Sequence, residues 1–133
     1  MIPFRVDFVA GEPAYEQVVY AAKKAILAEK IRPGQAFPSV RALARELKLH
    51  ANTAQKVIAH LTSEGLLEVR PGVGTIVVKL LPVSRGERGR LLKRDIEQLT
   101  VEAMQLGMSV EELQGAIADR WRVLSKRKVE VGA

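Results

Sequence analysis

The chain has 133 residues, 47% of them hydrophobic, and can form one ordinary domain or two small ones around a modest core. It contains no cysteine, which excludes disulfides, zinc–thiolate sites and thiol nucleophiles. Its net charge of +6 fits a polyanionic partner, because cations that neutralise phosphates release condensed counterions. No apolar run approaches the roughly 18 residues of a membrane span, and no secretory signal is apparent. We therefore expect a cytoplasmic protein without a membrane partner.

A short strand and a helix are predicted first. Phe4, Val6 and Phe8 alternate with charged residues, which is typical of a half-buried strand. From Ala14 to about Glu29, apolar residues recur at helical spacing on one face. That face consists of Tyr15, Val18, Val19, Ala22, Ile26 and Leu27. The chain then turns at Ile31–Gly34, where proline fixes φ and glycine allows a left-handed conformation.

Two short helices around a tight turn come next. Ser39 is a good N-cap for the first helix, whose inward face consists of Val40, Leu43, Ala44 and Leu47. The second helix runs from about Ala51 to Ser63 after a turn at Leu47–His50, and Gly65 suits the position beyond its end. Its inward residues are Ala54, Val57, Ile58 and Leu61. Its outer surface is left to Asn52, Gln55, Lys56 and Ala59.

A hairpin completes the first domain. Leu66–Arg70 and Thr75–Val78 are two short strands joined by Pro71–Gly74. Three helices followed by such a hairpin predict a winged helix-turn-helix domain over residues 1–79. The predicted fold class is mainly α with a small β-hairpin, and a two-helix dimerisation tail follows the domain.

The remaining residues are predicted to form a linker at 80–86, a two-helix region at 87–128 and a disordered tail at 129–133. Apolar residues of the first tail helix follow one another at steps of 4, 3, 4 and 3, as in a coiled-coil seam. These residues are Leu92, Ile96, Leu99, Ala103 and Leu106. Ser109 and Glu112 form a capping box for the last helix. Its inner face consists of Val110, Leu113, Ile117, Trp121 and Leu124.

These two amphipathic helices cannot bury their apolar faces well against each other alone. The simplest partner for them is a second copy of the chain, which predicts a homodimer with this face at its interface. The alternative is that both helices fold back on the first domain and that the chain is monomeric.

The second helix of a helix-turn-helix presents its first turns to base edges in the major groove of DNA. Asn52 and Gln55 lie on its outer face, and each can hold adenine N6 and N7 with two hydrogen bonds. Ala51 can touch a thymine methyl group. The alternatives are that both polar side chains are only solvated, or that Asn52 caps the helix. Lys56 is either a phosphate contact or a solvated charge, and Arg70 either enters the minor groove or stays an exposed charge on the hairpin.

Positive charge is concentrated in two stretches of the sequence. In the first, between residues 39 and 56, the single acid Glu46 is outnumbered by Arg41, Arg45, Lys48 and Lys56. Arg45 and Lys48 point away from the apolar face of their helix, and we expect them to meet phosphates. In the second, between residues 85 and 94, Glu87 is outnumbered by Arg85, Arg88, Arg90, Lys93 and Arg94. This second stretch either attracts DNA over a longer range or simply solvates the start of its helix.

Six short motifs, in this order and spacing, resemble the DNA-binding domain of GntR-type transcription regulators. They are Pro13-Ala14-Tyr15-Glu16-Gln17, Ile31-Arg32-Pro33-Gly34, Pro38-Ser39-Val40-Arg41, Asn52-Thr53, Glu64-Gly65-Leu66-Leu67 and Gly72-Val73-Gly74-Thr75. The resemblance covers about residues 10 to 78. The short two-helix tail is similar to that of the YtrA-like subfamily, whose members lack a large effector-binding domain. The resemblance implies a bacterial homodimer that commonly acts as a repressor.

The resemblance also implies roles for single residues. Arg41 matches an arginine at the start of the second helix that reaches the DNA, and Thr53 matches a recognition-helix threonine at phosphates or near bases. Gly72 and Gly74 match the wing tip that enters the minor groove. The chain departs from the family pattern at Ala51, where an arginine is usual, so we expect the operator sequence to differ.

Together these features predict a sequence-specific transcription regulator, a repressor that binds a pseudo-palindromic operator on double-stranded DNA as a homodimer. The alternative is a winged helix that binds proteins without reading bases, against which the basic outer faces argue. An enzyme is not predicted, since no glycine-rich loop follows a strand and no paired carboxylates or activated nucleophile converge.

No cofactor and no metal site are predicted. His50 and His60 are ten residues apart and lie on different segments. At the start of the recognition helix, His50 is instead expected to contact phosphate. Two possibilities for regulation stay open, an unidentified small-molecule effector between the dimer helices or no effector at all.

Overall fold

The computed structural model of the chain describes residues 2–80 and 84–125, which fall into two compact units. The first unit comprises the described residues up to Leu80 together with Leu124 and Ser125. Its elements are α1 (Ala14–Leu27), α2 (Val40–Leu47), α3 (Ala51–Ser63), β1 (Leu67–Arg70) and β2 (Gly74–Val77). The second unit is built from α4 (Arg85–Gln105) and from α5 (Val110–Leu124) as far as Val123. This order of elements confirms the predicted fold class of helices with one small hairpin.

The core of the first unit is apolar. All four inward residues predicted for α3 are buried, and within the described residues no polar or charged side chain is buried. The large side chains that are fully enclosed are Leu43, Leu61, Val18, Val57 and Val77. The prediction for α1 was wrong at Leu27, which is 52% exposed. Ala25, which was not predicted, is buried in the last turn beside the predicted Ile26.

The N-terminal segment is not a strand, so that prediction was wrong. No strand of the described structure pairs with residues 4–8. Phe4 is buried with its ring stacked on Phe37 at 6.1 Å between centroids, whereas Phe8 is 45% exposed. The Gln17 side chain accepts from the Val9 N–H at 2.8 Å and donates to the Val9 carbonyl at 3.0 Å. The Gln17 side chain thus supplies the hydrogen bonds that a neighbouring strand would otherwise give, since backbone polar groups need partners whether or not a strand forms.

β1 and β2 form an antiparallel hairpin in which Leu67 pairs with Val77 and Arg70 with Gly74. Residues 34–37 run along the other edge of β2. There the Phe37 N–H donates to the Thr75 carbonyl at 2.8 Å, and the Val77 N–H donates to the Gln35 carbonyl at 2.9 Å. This pairing was not predicted, because the preceding proline and glycine indicated only a turn. It ties the hairpin to the loop that leads into α2.

The second unit starts earlier than predicted. α4 begins at Arg85, inside the expected linker, because the Ser84 hydroxyl accepts from the Glu87 N–H at 3.2 Å and caps the helix. The predicted capping box of α5 is present, since Ser109 and Glu112 each accept from the other's backbone N–H at 3.1 Å. Residues 81–83 of the predicted linker, residues 126–128 and the predicted tail at 129–133 lie outside the described residues.

Candidate nucleic-acid interface

α2 presents a line of cations on its outer face. Its start is defined by Ser39, whose hydroxyl accepts from the Ala42 N–H at 3.1 Å. Leu43 is fully buried on the inner face. Arg41, Arg45 and Lys48 follow one another at steps of 4 and 3 residues, which places them on one side of a helix, and all three are exposed. The helix therefore directs its positive charge away from the core.

The turn between α2 and α3 is made without glycine. Lys48 ends α2 in the left-handed conformation, with φ of 55°. The Leu49 N–H donates to the Ala44 carbonyl at 2.9 Å, which is the longer hydrogen bond of a Schellman motif. Leu49 itself packs against the core. This hydrophobic contact fixes the direction in which the chain enters α3.

The start of α3 is open to solvent. His50 occupies the N-cap position, but its side chain makes no capping hydrogen bond. Asn52 is the second helical residue, so the alternative that it caps the helix is excluded. The exposed residues of the first two turns are Ala51, Asn52, Gln55 and Lys56. Thr53 is half-buried between them and the core residue Ala54.

The hairpin tip is glycine-dependent. Gly72 has φ of 76° and Gly74 has φ of 114°, both in the region that L side chains avoid. The turn is closed by the Val73 N–H, which donates to the Arg70 carbonyl at 3.0 Å. Val73 is 66% exposed at the tip, an apolar feature that sequence reasoning missed. The tip is thus a small, uncharged projection.

Arg70 is already engaged at the base of this tip. Its Nε donates to Glu68 Oε1 at 2.9 Å on the same exposed strand. An arginine that enters the minor groove would have to give up this ion pair. The sequence carried a signal for this pair, because residues two apart along a strand have their side chains on the same face.

Glu46, the one acid among the cations of α2, does not lie on their side of the helix. Glu46 Oε1 accepts from the Ile2 N–H at 2.9 Å. At about 100° per residue, Glu46 also lies well around the helix from Arg41. The outer line of α2 therefore keeps its positive charge.

The far end of α3 is held to α1 by charged groups. Lys23 Nζ lies 2.7 Å from Glu64 Oε1, and His60 Nε2 lies 3.4 Å from Glu64 Oε2. The hydrogen bond from Lys23 holds the pKa of Glu64 below its usual value, although desolvation opposes this. Sequence reasoning considered His60 only as a metal ligand and missed this contact. In the described parts of the chain, no three histidine, cysteine or acidic residues cluster as a metal site would require.

A family model described as bacterial regulatory proteins, gntR family, matches residues 14–77, which is the span from α1 to the end of β2. The chain is also 30% identical to the HTH-type transcriptional repressor YtrA of Bacillus subtilis (strain 168), over 82% of this chain and 85% of the relative. The chain belongs to the gntR family. The GntR resemblance inferred from the motifs, including its YtrA-like character, is confirmed.

Two solved structures of GntR relatives or related domains extend this comparison. YtrA from Sulfolobus acidocaldarius, a GntR-family transcription factor, is 29% identical over 92% of this chain and 97% of that chain, with a TM-score of 0.51. AraR(DBD) in complex with operator ORX1 is 32% identical over 56% of this chain and 95% of that chain, also with a TM-score of 0.51. Within the described residues, no helix is both long enough and apolar enough to cross a membrane.

Proposed function

We propose that this GntR-family chain is a sequence-specific DNA-binding transcription regulator that represses by binding a palindromic operator as a homodimer. The observation that carries the proposal is the shared outer surface of α2 and α3. It combines a line of exposed cations with an open first turn of the recognition helix. The relation to AraR(DBD), which was solved with an operator, supports duplex DNA as the ligand.

In this proposal α3 lies in the major groove and reads bases with its first two turns. Asn52 and Gln55 are exposed there and suit adenine, while Ala51 meets a thymine methyl group. Thr53 and His50 lie at the edge of this surface and bind phosphate. An arginine at position 51 would favour guanine, so its absence supports an operator rich in adenine and thymine.

α2 and the wing position the domain on the duplex. Arg41 reaches the DNA from the first turn of α2, and Arg45, Lys48 and Lys56 neutralise phosphates. Gly72 and Gly74 allow the wing tip to approach the minor groove, because neither carries a side chain. Arg70 joins them after it leaves Glu68, a step in which one ion pair replaces another.

The homodimer is supported by the apolar seam of the second unit, which a single chain leaves exposed. Only Ala103 of α4 is buried, and no residue of α5 is. The exposed members of the seam, each given with the fraction of its surface that is exposed, are Leu92 (54%), Ile96 (55%), Leu99 (43%), Leu106 (78%), Val110 (61%), Ile117 (46%), Trp121 (73%) and Leu124 (40%). Leu113 is half-buried. A soluble chain rarely exposes so continuous an apolar face unless a partner covers it.

The two units have separate roles in this proposal. Residues 1–79 bind DNA and residues 87–128 dimerise. Residues 80–86 connect them, although the last two of these residues already belong to α4. The proposal assigns the protein to the cytoplasm, where it meets DNA, and includes neither an enzymatic role nor a cofactor. For regulation, the proposal keeps both possibilities, a small-molecule effector that binds between the dimer helices or no effector at all.

A winged helix that binds only proteins is the competing function. Such a surface would expose large apolar side chains on α2 or α3. The exposed large hydrophobic residues of the described chain all lie elsewhere, in the N-terminal segment, α1, the hairpin, α4 and α5, and at Leu80 and Leu106. This distribution favours DNA over a protein partner at the helix-turn-helix.

Selection of bound sequences from a random duplex pool tests the proposal. We expect enrichment of two inverted half-sites whose centres lie about 10 base pairs apart or a multiple of that, as a twofold dimer requires. A single unpaired half-site would contradict the dimer. A pool without any enrichment would contradict sequence-specific binding.

A further inference from the structure

The proposed function does not use the basic start of α4. We define the α4 basic segment as the five cations in the first ten residues of this helix, Arg85, Arg88, Arg90, Lys93 and Arg94. All five side chains are exposed. Within the part of the chain that the structure describes, none of them forms an ion pair. The segment is therefore a strongly charged surface without a partner in its own unit.

The charge of the second unit is polarised along the sequence. Residues 85–94 carry five cations and the single acid Glu87, a net charge of +4. Residues 95–125 carry two cations and six acids, a net charge of −4, and the three cations Lys126, Arg127 and Lys128 follow them in the sequence. A surface that only had to stay solvated would mix both signs, so a block of five cations with one acid fits a surface that meets an anion.

The basic segment also opposes the local physics of its helix. The N-terminus of a helix carries a partial positive charge that acts within the first turn, so Arg85 and Arg88 are unfavourable there. Gly86 and Gly89 weaken the same turns further, since glycine is a poor helix former. A side chain at either glycine would meet nothing within 4 Å, so packing within the described chain does not require them. A polyanion bound to these turns would remove the charge conflict.

Covalent geometry limits the distance between the segment and the hairpin. Arg85 follows Val77, the last residue of β2, by eight residues. An extended chain of that length spans at most about 26–29 Å. A connection of this length does not prevent one duplex from contacting both the wing and the segment.

We propose that the α4 basic segment is a second DNA-contacting surface, which binds phosphates beside the bases read by α3. It adds affinity without sequence preference. The inference rests on the proposed DNA-binding function, whose ligand is the polyanion that the same chain already holds nearby.

The test uses the full chain and the double substitution Arg90→Gln with Arg94→Gln. Each of these residues is two positions from Leu92, so both project away from the dimerisation seam. Binding to operator and to unrelated duplex is titrated across a range of salt concentrations. We expect the slope of log K against log salt to become shallower by about 2 to 4 for both duplexes, because the proposed homodimer loses up to four phosphate contacts and each contributes about 0.9.

A matched control removes the same charge from the other end of the unit, with Arg120→Gln and Arg122→Gln on α5. It should leave the slope unchanged. Arg90→Lys with Arg94→Lys should restore the wild-type slope, since the contact is electrostatic. Sedimentation confirms that each variant keeps the wild-type assembly state.

An unchanged slope for the Arg90 and Arg94 double variant would overturn this inference alone. So would an equal loss in the α5 control, because the effect would then be net charge. If the wild-type chain binds no duplex at all, the proposed function fails and the inference falls with it.

Discussion

The Tyr15 hydroxyl on α1 lies 2.8 Å from Nδ1 of His60 on α3, and the two rings meet edge to face with centroids 5.8 Å apart. Tyr15 and His60 are 45 residues apart in sequence, so the contact joins two helices that are distant along the chain. His60 also faces Glu64, which is bound to Lys23 of α1. α1 therefore holds the recognition helix by a polar contact as well as by apolar packing.

Tyr15→Phe should reduce the free energy of unfolding by about 0.5–1.5 kcal/mol, the usual net contribution of one hydrogen bond. The ring remains, so the edge-to-face contact with His60 is preserved. Urea denaturation followed by circular dichroism measures the change. Tyr20→Phe is the control, since Tyr20 is 61% exposed. Equal losses in both variants would contradict a role for the Tyr15 hydroxyl.

Glu64 should make stability fall in acid. Its pKa is lowered by the hydrogen bond from Lys23, so the ionised form is favoured in the folded chain. A carboxyl of this kind stabilises the fold above its unfolded pKa, about 4.3, and the stabilisation is lost as pH falls through the lower, folded pKa. Glu64→Gln should remove this part of the pH dependence. At neutral pH it should cost less than about 1 kcal/mol, because the pair is over a third exposed.

The measurement is urea unfolding at a series of pH values between about 3 and 7, the range that spans the carboxyl titration. Lys23→Met serves as the matched variant, because it removes the donor and leaves the carboxyl in place. It should flatten the same part of the pH profile. If the Glu64→Gln profile follows that of the wild type, the ion pair does not stabilise the fold.

Lys48→Gly should change stability and DNA binding in opposite directions. Lys48 holds φ of 55°, which disfavours any residue with a Cβ, so glycine should stabilise the fold by roughly 1 kcal/mol. The lost cations, one from each chain of the proposed homodimer, should also make the salt slope of DNA binding shallower by about 1.8. Lys48→Arg is the control, since it keeps both the strain and the charge. A glycine variant with the wild-type salt slope would exclude a phosphate contact at this position.

Arg41→Ala should weaken operator binding by about 1–3 kcal/mol, the usual contribution of a good bidentate contact. A mobility-shift titration measures the affinity, and circular dichroism checks that the fold is intact. Arg32→Ala removes the same charge from the exposed loop before α2 and should have a much smaller effect. Unchanged affinity in a folded Arg41→Ala variant would remove this residue from the interface.

Ile96→Asp should convert the proposed dimer to a monomer, because it places a charge in the middle of the exposed seam of α4. Sedimentation equilibrium should give the mass of one chain. Operator affinity should fall by about 100-fold or more, as the two half-sites are no longer bound together. Met104→Asp is the control, since Met104 is 71% exposed and lies outside the seam. A dimer that survives Ile96→Asp would show that another surface joins the chains.

Local patterns were enough to predict most elements of the first unit. Ser39 caps α2 and the four apolar residues predicted for α3 are buried, because capping and helical periodicity act over a few neighbouring positions. The strand predicted in the N-terminal segment was wrong for a related reason. The alternation of Phe4 and Phe8 describes side-chain direction, but a strand also needs a neighbour, which the local pattern cannot supply.

The sequence by itself determined the winged helix-turn-helix, its outward cations and the motifs that place the chain in the GntR family. These features depend on spacing within one element or between adjacent ones. Only the tertiary structure decided that residues 34–37 line β2 and that Tyr15 meets His60. These contacts depend on how segments that are distant in sequence come together in space, and no periodicity along the chain encodes that distance.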